Sequence, residues 1–211
     1  MTSKYMSELS KIEMQIASST SKFPIVGIVA SAGGLEAFTQ LLGPLPINTG
    51  MAFVLIQHML PNGESSLAKI LARVTKMLVS QVQNGMLVEL NRVYVIPPNT
   101  QMRLSKGVFE LSPRKKVFGM YMPGDAFLTS LAADCGNRAI AVVLSGSNKD
   151  GTLGLTAIKA VGGVRFAQDK DTATFDRMPL SAIATGHVDF VLPSEQIAIE
   201  LAAIGRKAEN K

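Results

Sequence analysis

The sequence predicts an α/β protein: a doubly wound, mainly parallel sheet with helices on both faces and a small antiparallel excursion. Three observations lead there. Short, almost wholly apolar runs recur at Ile25–Ala30, Ala52–Gln57 and Ala139–Leu144, as expected of strands covered on both faces. Segments with helical spacing of apolar residues alternate with them, the order that winds a parallel sheet. Each run also opens into a polar or glycine-rich turn, and in such sheets the carboxyl edge is where sites are built.

Taken in order, strand Ile25–Ala30 is followed by a helix over about 34–42. Strand Ala52–Gln57 leads through the loop 60–64 to a helix over about 65–75. Val79–Gln83 and Arg92–Ile96 read as short strands, the second stopped by Pro97-Pro98, which cannot donate to a ladder. Met102–Leu104 and Val108–Leu111 form a hairpin through Ser105-Lys106-Gly107, so the antiparallel excursion is expected near residues 92–111. A helix over about 125–135 precedes strand Ala139–Leu144, and a helix over about 151–161 follows it. Strands Val164–Gln168 and Asp189–Val191 flank a helix over 178–185. The last helix is expected over 194–204, with Ser194 as its N-cap.

A chain of 211 residues fits one domain. Residues 1–22 are polar and serine-rich and read as a linker or leader helix, residues 23–205 as the catalytic-sized core, and 206–211 as a frayed tail. No apolar h-region opens the chain and no apolar run is long enough for a membrane helix, so a cytoplasmic protein without membrane insertion is expected. The single cysteine, Cys135, excludes an internal disulfide and reads as a packing residue. A net charge of +5 invites nucleic acid, but with 6% aromatics and no tryptophan there is little to stack bases, and none is expected as a partner. One cysteine and two separated histidines give no ligand spacing, so neither a metal nor a cofactor is expected.

Three residues stand where chemistry would want them. Ser31 leaves the first strand and precedes Ala32-Gly33-Gly34, over the positive end of a helix, where an attacked carbonyl oxygen would be stabilised. It reads equally as a helix cap or phosphate cradle, although the turn matches neither G-x-G-x-x-G nor the lysine-bearing phosphate loop. His58 ends the second run; it is either a satisfied core residue or a general base. His187 sits at the wrong end of a strand. Asp150 follows the third run and serves to N-cap the helix beginning at 151, to orient an imidazole, or both. Asp169, Asp171 and Asp176 are the runners-up.

Collinear segments make the pattern specific. Val26 to Ala37, Gln57-His58-Met59, Val93 to Pro98, Leu144-Ser145-Gly146 with Asp150-Gly151, Ala167-Gln168-Asp169 and Met178-Pro179 together resemble the CheB-type chemotaxis protein-glutamate methylesterase domain, over residues 24 to about 204. The resemblance implies a serine hydrolase of glutamate γ-methyl esters on chemoreceptor-type proteins, often also a glutamine deamidase. Carried over by motif, Ser31 is the nucleophile, His58 the base and then the acid, and Asp150 the residue that orients His58. Backbone N–H groups near Ala32 and Ser147 become the oxyanion donors. The implied partner is an acidic helical segment of a methylated receptor.

This sequence departs from the family pattern in four places. The leader is too short for the usual receiver domain, which suggests the edge of a hybrid with methyltransferase or sensor modules. The loop T-G-M-G-x-D-G reads Ser145-Gly146-Ser147-Asn148-Lys149-Asp150-Gly151, with Asn148 in place of a glycine. H-R-P reads Tyr121-Met122-Pro123, and G-M-P reads Arg177-Met178-Pro179, so that Arg177 is the candidate to replace the lost basic residue. The alternative reading is a catalytically impaired domain that binds methylated receptor helices as a regulatory module.

Overall fold

The computed structural model describes residues 23–58, 66–117 and 119–209. The leader therefore lies outside the described residues. Seven strands form one sheet: β1 (Ile25–Ala30), β2 (Ala52–Gln57), β3 (Leu78–Gln81), β4 (Arg92–Val95), β9 (Ala139–Val143), β10 (Val164–Gln168) and β11 (Phe190–Leu192). Their order is β11-β10-β9-β1-β2-β4-β3, and every pairing is parallel. The first described strand, β1, lies in the middle. The chain continues to β2, crosses to the edge strand β3, steps back to β4 between them, and then returns to build the other half from β9. The switch point of this doubly wound sheet is therefore at β1.

Period-two alternation divides the core. Val26, Ile28 and Ala30 of β1, with Phe53 and Leu55 of β2, face the helices α1 (Gly34–Leu42), α2 (Leu67–Leu71) and α6 (Ser194–Glu209). Ile25 and Val29, with Ala52, Val54 and Ile56, face α3 (Pro123–Cys135), α4 (Thr152–Ala160) and α5 (Arg177–Ala184). The helices match this arrangement. Ala37, Phe38, Leu41 and Leu42 make one buried stripe on α1, while Glu36 faces out in its first turn. Cys135 is 2% exposed at the end of α3, and burial pushes its thiol up to about 12, in keeping with a packing residue.

The antiparallel excursion is narrower than expected. Arg92–Val95 lies inside the parallel sheet, and the hairpin β5 (Thr100–Ser105) with β6 (Val108–Pro113) is a separate two-stranded sheet over α3. Its two-residue turn places Lys106 at φ 52° and Gly107 at φ 72°, the paired left-handed conformation that matches the twist of a hairpin. Both N–H groups donate to the Asp134 carboxylate. A further short pair, β7 (Lys116–Val117) and β8 (Met120–Tyr121), was not anticipated.

Two helices differ from expectation for local reasons. The helix predicted to reach residue 75 contains only Leu67–Leu71. Beyond it the Arg73 and Val74 N–H groups bond three residues back, a tighter turn before the β-branched Val74-Thr75. The last helix, α6, starts at the predicted Ser194, but the Gln196 and Ile197 N–H groups donate to the Pro193 carbonyl, so Pro193 takes the capping position. Ser194 is therefore inside the first turn instead of capping it, and its hydroxyl is buried without a partner among the described residues. The same helix continues through Glu209, over much of the stretch expected to fray. No helix among the described residues is long and apolar enough to cross a membrane.

Candidate active site

Strand parity decides where the polar strand ends point. Ile25 and Val29 of β1, and Ala52, Val54 and Ile56 of β2, face the α3 layer. Counting on by twos carries Ser31 and His58 to that same face. The register pairs Ala30 with Gln57, so Ser31 and His58 are the next pair across. The His58 N–H still donates to the Ala30 carbonyl at 3.1 Å, prolonging the ladder. With adjacent strands about 4.8 Å apart, the serine and the histidine stand side by side. On the other flank, Leu144 N–H donates to Val29 O and Ser31 N–H to Ser145 O, both at 2.9 Å.

Asp150 reaches this point by a longer path. After Ser145 the chain crosses the carboxyl edge and returns Asp150 to full burial, with Oδ2 2.5 Å from His58 Nε2. The same oxygen accepts the Gly124 N–H at 2.7 Å, while Oδ1 accepts those of Asp125 (2.8 Å) and Gly151 (3.0 Å). Of the two roles open to Asp150, capping the helix that follows it is not the one the structure shows. Gly151, with φ 98°, occupies the N-cap of α4, and Asp150 instead satisfies the orphan N–H groups in the first turn of α3. A buried carboxylate is compensated there by three backbone donors and a positive helix end.

The capping is reciprocal. Asp125, in the first turn of α3, returns its Oδ1 to the Gly154 N–H of α4 at 3.0 Å. Each carboxylate thus ties the other's helix, and the two N-termini hold Asp150 in place. Burial first of all, and the nearby Asp150 charge, push the Asp125 carboxyl up to about 6, against the pull of its backbone donors. Its folded pKa is raised, so the folded state holds the proton more tightly. The stability this contributes is complete below the ordinary carboxylate range and is lost as pH rises through about 6. Asp125→Asn is therefore expected to stabilise the protein at pH 8 by up to about 3 kcal/mol, with the gain disappearing near pH 4. Thermal unfolding of both proteins across that range would check it; an equal difference at every pH would contradict it.

Other polar residues brace the serine turn. Gln57 Nε2 donates to the Ser31 carbonyl at 2.7 Å. Ser145 Oγ donates to the Ala32 carbonyl at 2.8 Å and accepts the Phe175 N–H at 3.0 Å. Gln168 Oε1 accepts the Ser145 N–H at 2.9 Å. Gly33, at φ 74°, would place a Cβ 2.5 Å from Ser145 Oγ, so this turn needs glycine for both conformation and space. The Ser31 hydroxyl and the N–H groups of Ala32 and Ser147 have no hydrogen-bond partner among the described residues. Ser147 is exposed in the loop before Asp150, and Arg177 is exposed at the start of α5.

The structure brings together Ser31, His58 and Asp150, with Ala32 beside them. The runner-up acids do not join them: Asp169 accepts the Asp171 N–H, and Asp176 precedes α5. His187 meets Thr156 Oγ1 at 3.0 Å, away from the cluster. Asp125, Gln57, Ser145 and Gln168 were not singled out from the sequence. Three of these four are polar residues ending or immediately following apolar strands, a signal as available as the one that marked His58. A cleft at His58 is bounded by Gln57, Pro97, Asn99, Arg114 and Pro123. A larger groove of about 860 Å³, between α3 and the hairpin, reaches the cluster only through Asp125 and Lys149 and includes neither Ser31 nor His58.

The class is that of doubly wound α/β proteins carrying a serine, a histidine and a buried aspartate at the switch point. Within it, this chain belongs to the CheB methylesterase family, whose model matches residues 26–201. A protein-glutamate methylesterase/protein-glutamine glutaminase of Pyrococcus horikoshii is 35% identical over 82% of this chain. An uncharacterised 104.1 kDa protein of Rhodobacter capsulatus is 48% identical over 62% of it, a match to 14% of that protein. The crystal structure of the Thermotoga maritima CheB methylesterase catalytic domain superposes with a TM-score of 0.80 at 32% identity, covering 86% of this chain and 98% of that one. The chain spans 48% of the Pyrococcus relative's length.

Proposed function

We propose that this domain is a serine hydrolase that demethylates glutamate γ-methyl esters on chemoreceptor-type proteins, and deamidates glutamines by the same route. The observation that carries the reading is the 2.5 Å contact between His58 Nε2 and the buried Asp150, made beside the strand end that bears Ser31. The carboxylate accepts the Nε2 proton, which leaves the Nδ1 lone pair as the base. His58 takes the hydroxyl proton as Ser31 Oγ attacks the ester carbonyl, and returns it to methanol, or to ammonia from an amide. Water then releases the glutamate by the reverse sequence of proton transfers. The Ala32 N–H, near the positive end of α1, and the Ser147 N–H are the donors for the oxyanion. Arg177 is the candidate to meet acidic side chains around the ester. Neither metal nor cofactor has a part in this chemistry.

The relatives named for glutamate methylesterase activity support the reaction class. The match within a much longer Rhodobacter protein supports a place among fused modules, and the methyltransferase and sensor partners belong with that reading. The test is methanol release from a methylated receptor, with wild type and Ser31→Ala compared. Loss of at least about 10³-fold in the variant, with unfolding unchanged, is expected. Equal inactivity of both proteins, with receptor binding retained, would favour the non-catalytic binding module instead.

A further inference from the structure

Asn148 is held so that its amide has one orientation. Its Oδ1 accepts the Asp150 N–H at 2.8 Å, a local turn of the kind asparagine makes two residues on. That bond leaves Nδ2 as the group facing the histidine, 3.2 Å from His58 Nδ1. The opposite ring nitrogen is already committed to Asp150. The imidazole therefore sits between two neighbours with fixed roles: Asp150 accepts from Nε2, and Asn148 donates to Nδ1.

Nδ1 is also the nitrogen that must accept the Ser31 proton in the reaction proposed above. A neutral hydrogen bond occupies that lone pair in the resting site. Once Nδ1 carries a proton, two donors face each other, and the Asn148 amide cannot rotate to accept without releasing the Asp150 N–H. We infer that Asn148 is a positioning residue that acts as a brake on His58, occupying the base nitrogen until substrate displaces its amide. This inference rests on the serine hydrolase reading and adds a regulatory element to it. No bond is made or broken by Asn148; it changes only how often the lone pair is available to Ser31.

The turn and the brake separate by substitution. Asn148→Ser keeps an oxygen able to accept the Asp150 N–H but is too short to reach Nδ1, whereas Asn148→Gly removes both. Labelling of Ser31 by a fluorophosphonate reads the reactivity of the serine without a receptor. The expected result is a labelling rate about 5- to 10-fold higher in Asn148→Ser, the size of one neutral hydrogen bond, with no labelling in Ser31→Ala. Nitrogen NMR supplies a readout that a structural role would not move. The protein has only two histidines, and the His58 Nδ1 resonance should shift toward that of a lone pair with no donor. Normal labelling of wild type with an equal or slower rate in Asn148→Ser overturns the brake while leaving the hydrolase reading intact. Failure of every variant to label at Ser31 overturns the hydrolase reading and the brake with it.

Discussion

Asp150→Ala is expected to lower esterase activity by about 10⁴-fold and the stability of the domain by about 3–5 kcal/mol. Both effects have the same origin. The carboxylate accepts from His58 Nε2 and from three backbone N–H groups, those of Gly124, Asp125 and Gly151. Alanine leaves these donors unpaired at a position with no exposure to water. It also frees the imidazole to take the wrong tautomer. Asp150→Asn separates the two contributions. One oxygen remains to serve the α3 N-terminus, so most of the stability should survive. The new NH₂ facing Nε2 removes the acceptor that holds the working tautomer and stabilises the imidazolium, so the activity should still fall by about 10⁴-fold. Denaturant unfolding and methanol release on the three proteins would test this. An Asp150→Asn protein as active as wild type would remove Asp150 from the mechanism.

Gly124→Ala is expected to cost about 2 kcal/mol and to lower activity by about 10²-fold, although it adds only one methyl group. A Cβ at Gly124 would lie 2.5 Å from Val29 Cγ1 and 2.8 Å from Asp150 Oδ2. Neither neighbour is a flexible side-chain end. Val29 is β-branched and fully buried in β1, two residues before Ser31, and Asp150 is pinned by its donors. Relief comes from moving the α3 N-terminus, which carries Asp150 with it, or from moving β1. Either displaces the pair that must meet at His58. A variant with wild-type kinetics and unfolding would show that the helix terminus does not hold the aspartate in register.

Much of this was legible in the chain. Apolar strands without alternation specify a sheet covered on both faces, and the strands β1, β2, β9 and β10 lie within a residue of where their composition places them. Ser31 and His58 were visible because each follows such a strand directly, and register then makes them neighbours. The edges were less legible. The shortened α2 and the shift of the α6 cap from Ser194 to Pro193 depend on which carbonyl accepts a few terminal N–H groups, a choice that side-chain propensity hardly affects. Gln57, Ser145 and Gln168 were passed over because a lone polar residue at a strand end carries no chemistry until its partner is known.

Asp150 shows most clearly what each level decides. Local sequence allows it to cap the helix that follows, and only packing of α3 against α4 gives its oxygens to a helix 26 residues earlier in the chain. The same packing makes Asp125 the reciprocal cap, raises its pKa, and aligns Asn148 on the free nitrogen of His58. By itself the sequence determined the layers and marked the three residues of the cluster as candidates, because apolar period and strand ends are local properties. The tertiary structure alone decided which donors each buried carboxylate serves and which imidazole nitrogen faces Asp150 and which faces Asn148. Those depend on distances between segments far apart in the chain, and hydrogen bonds are made or lost over a few tenths of an ångström.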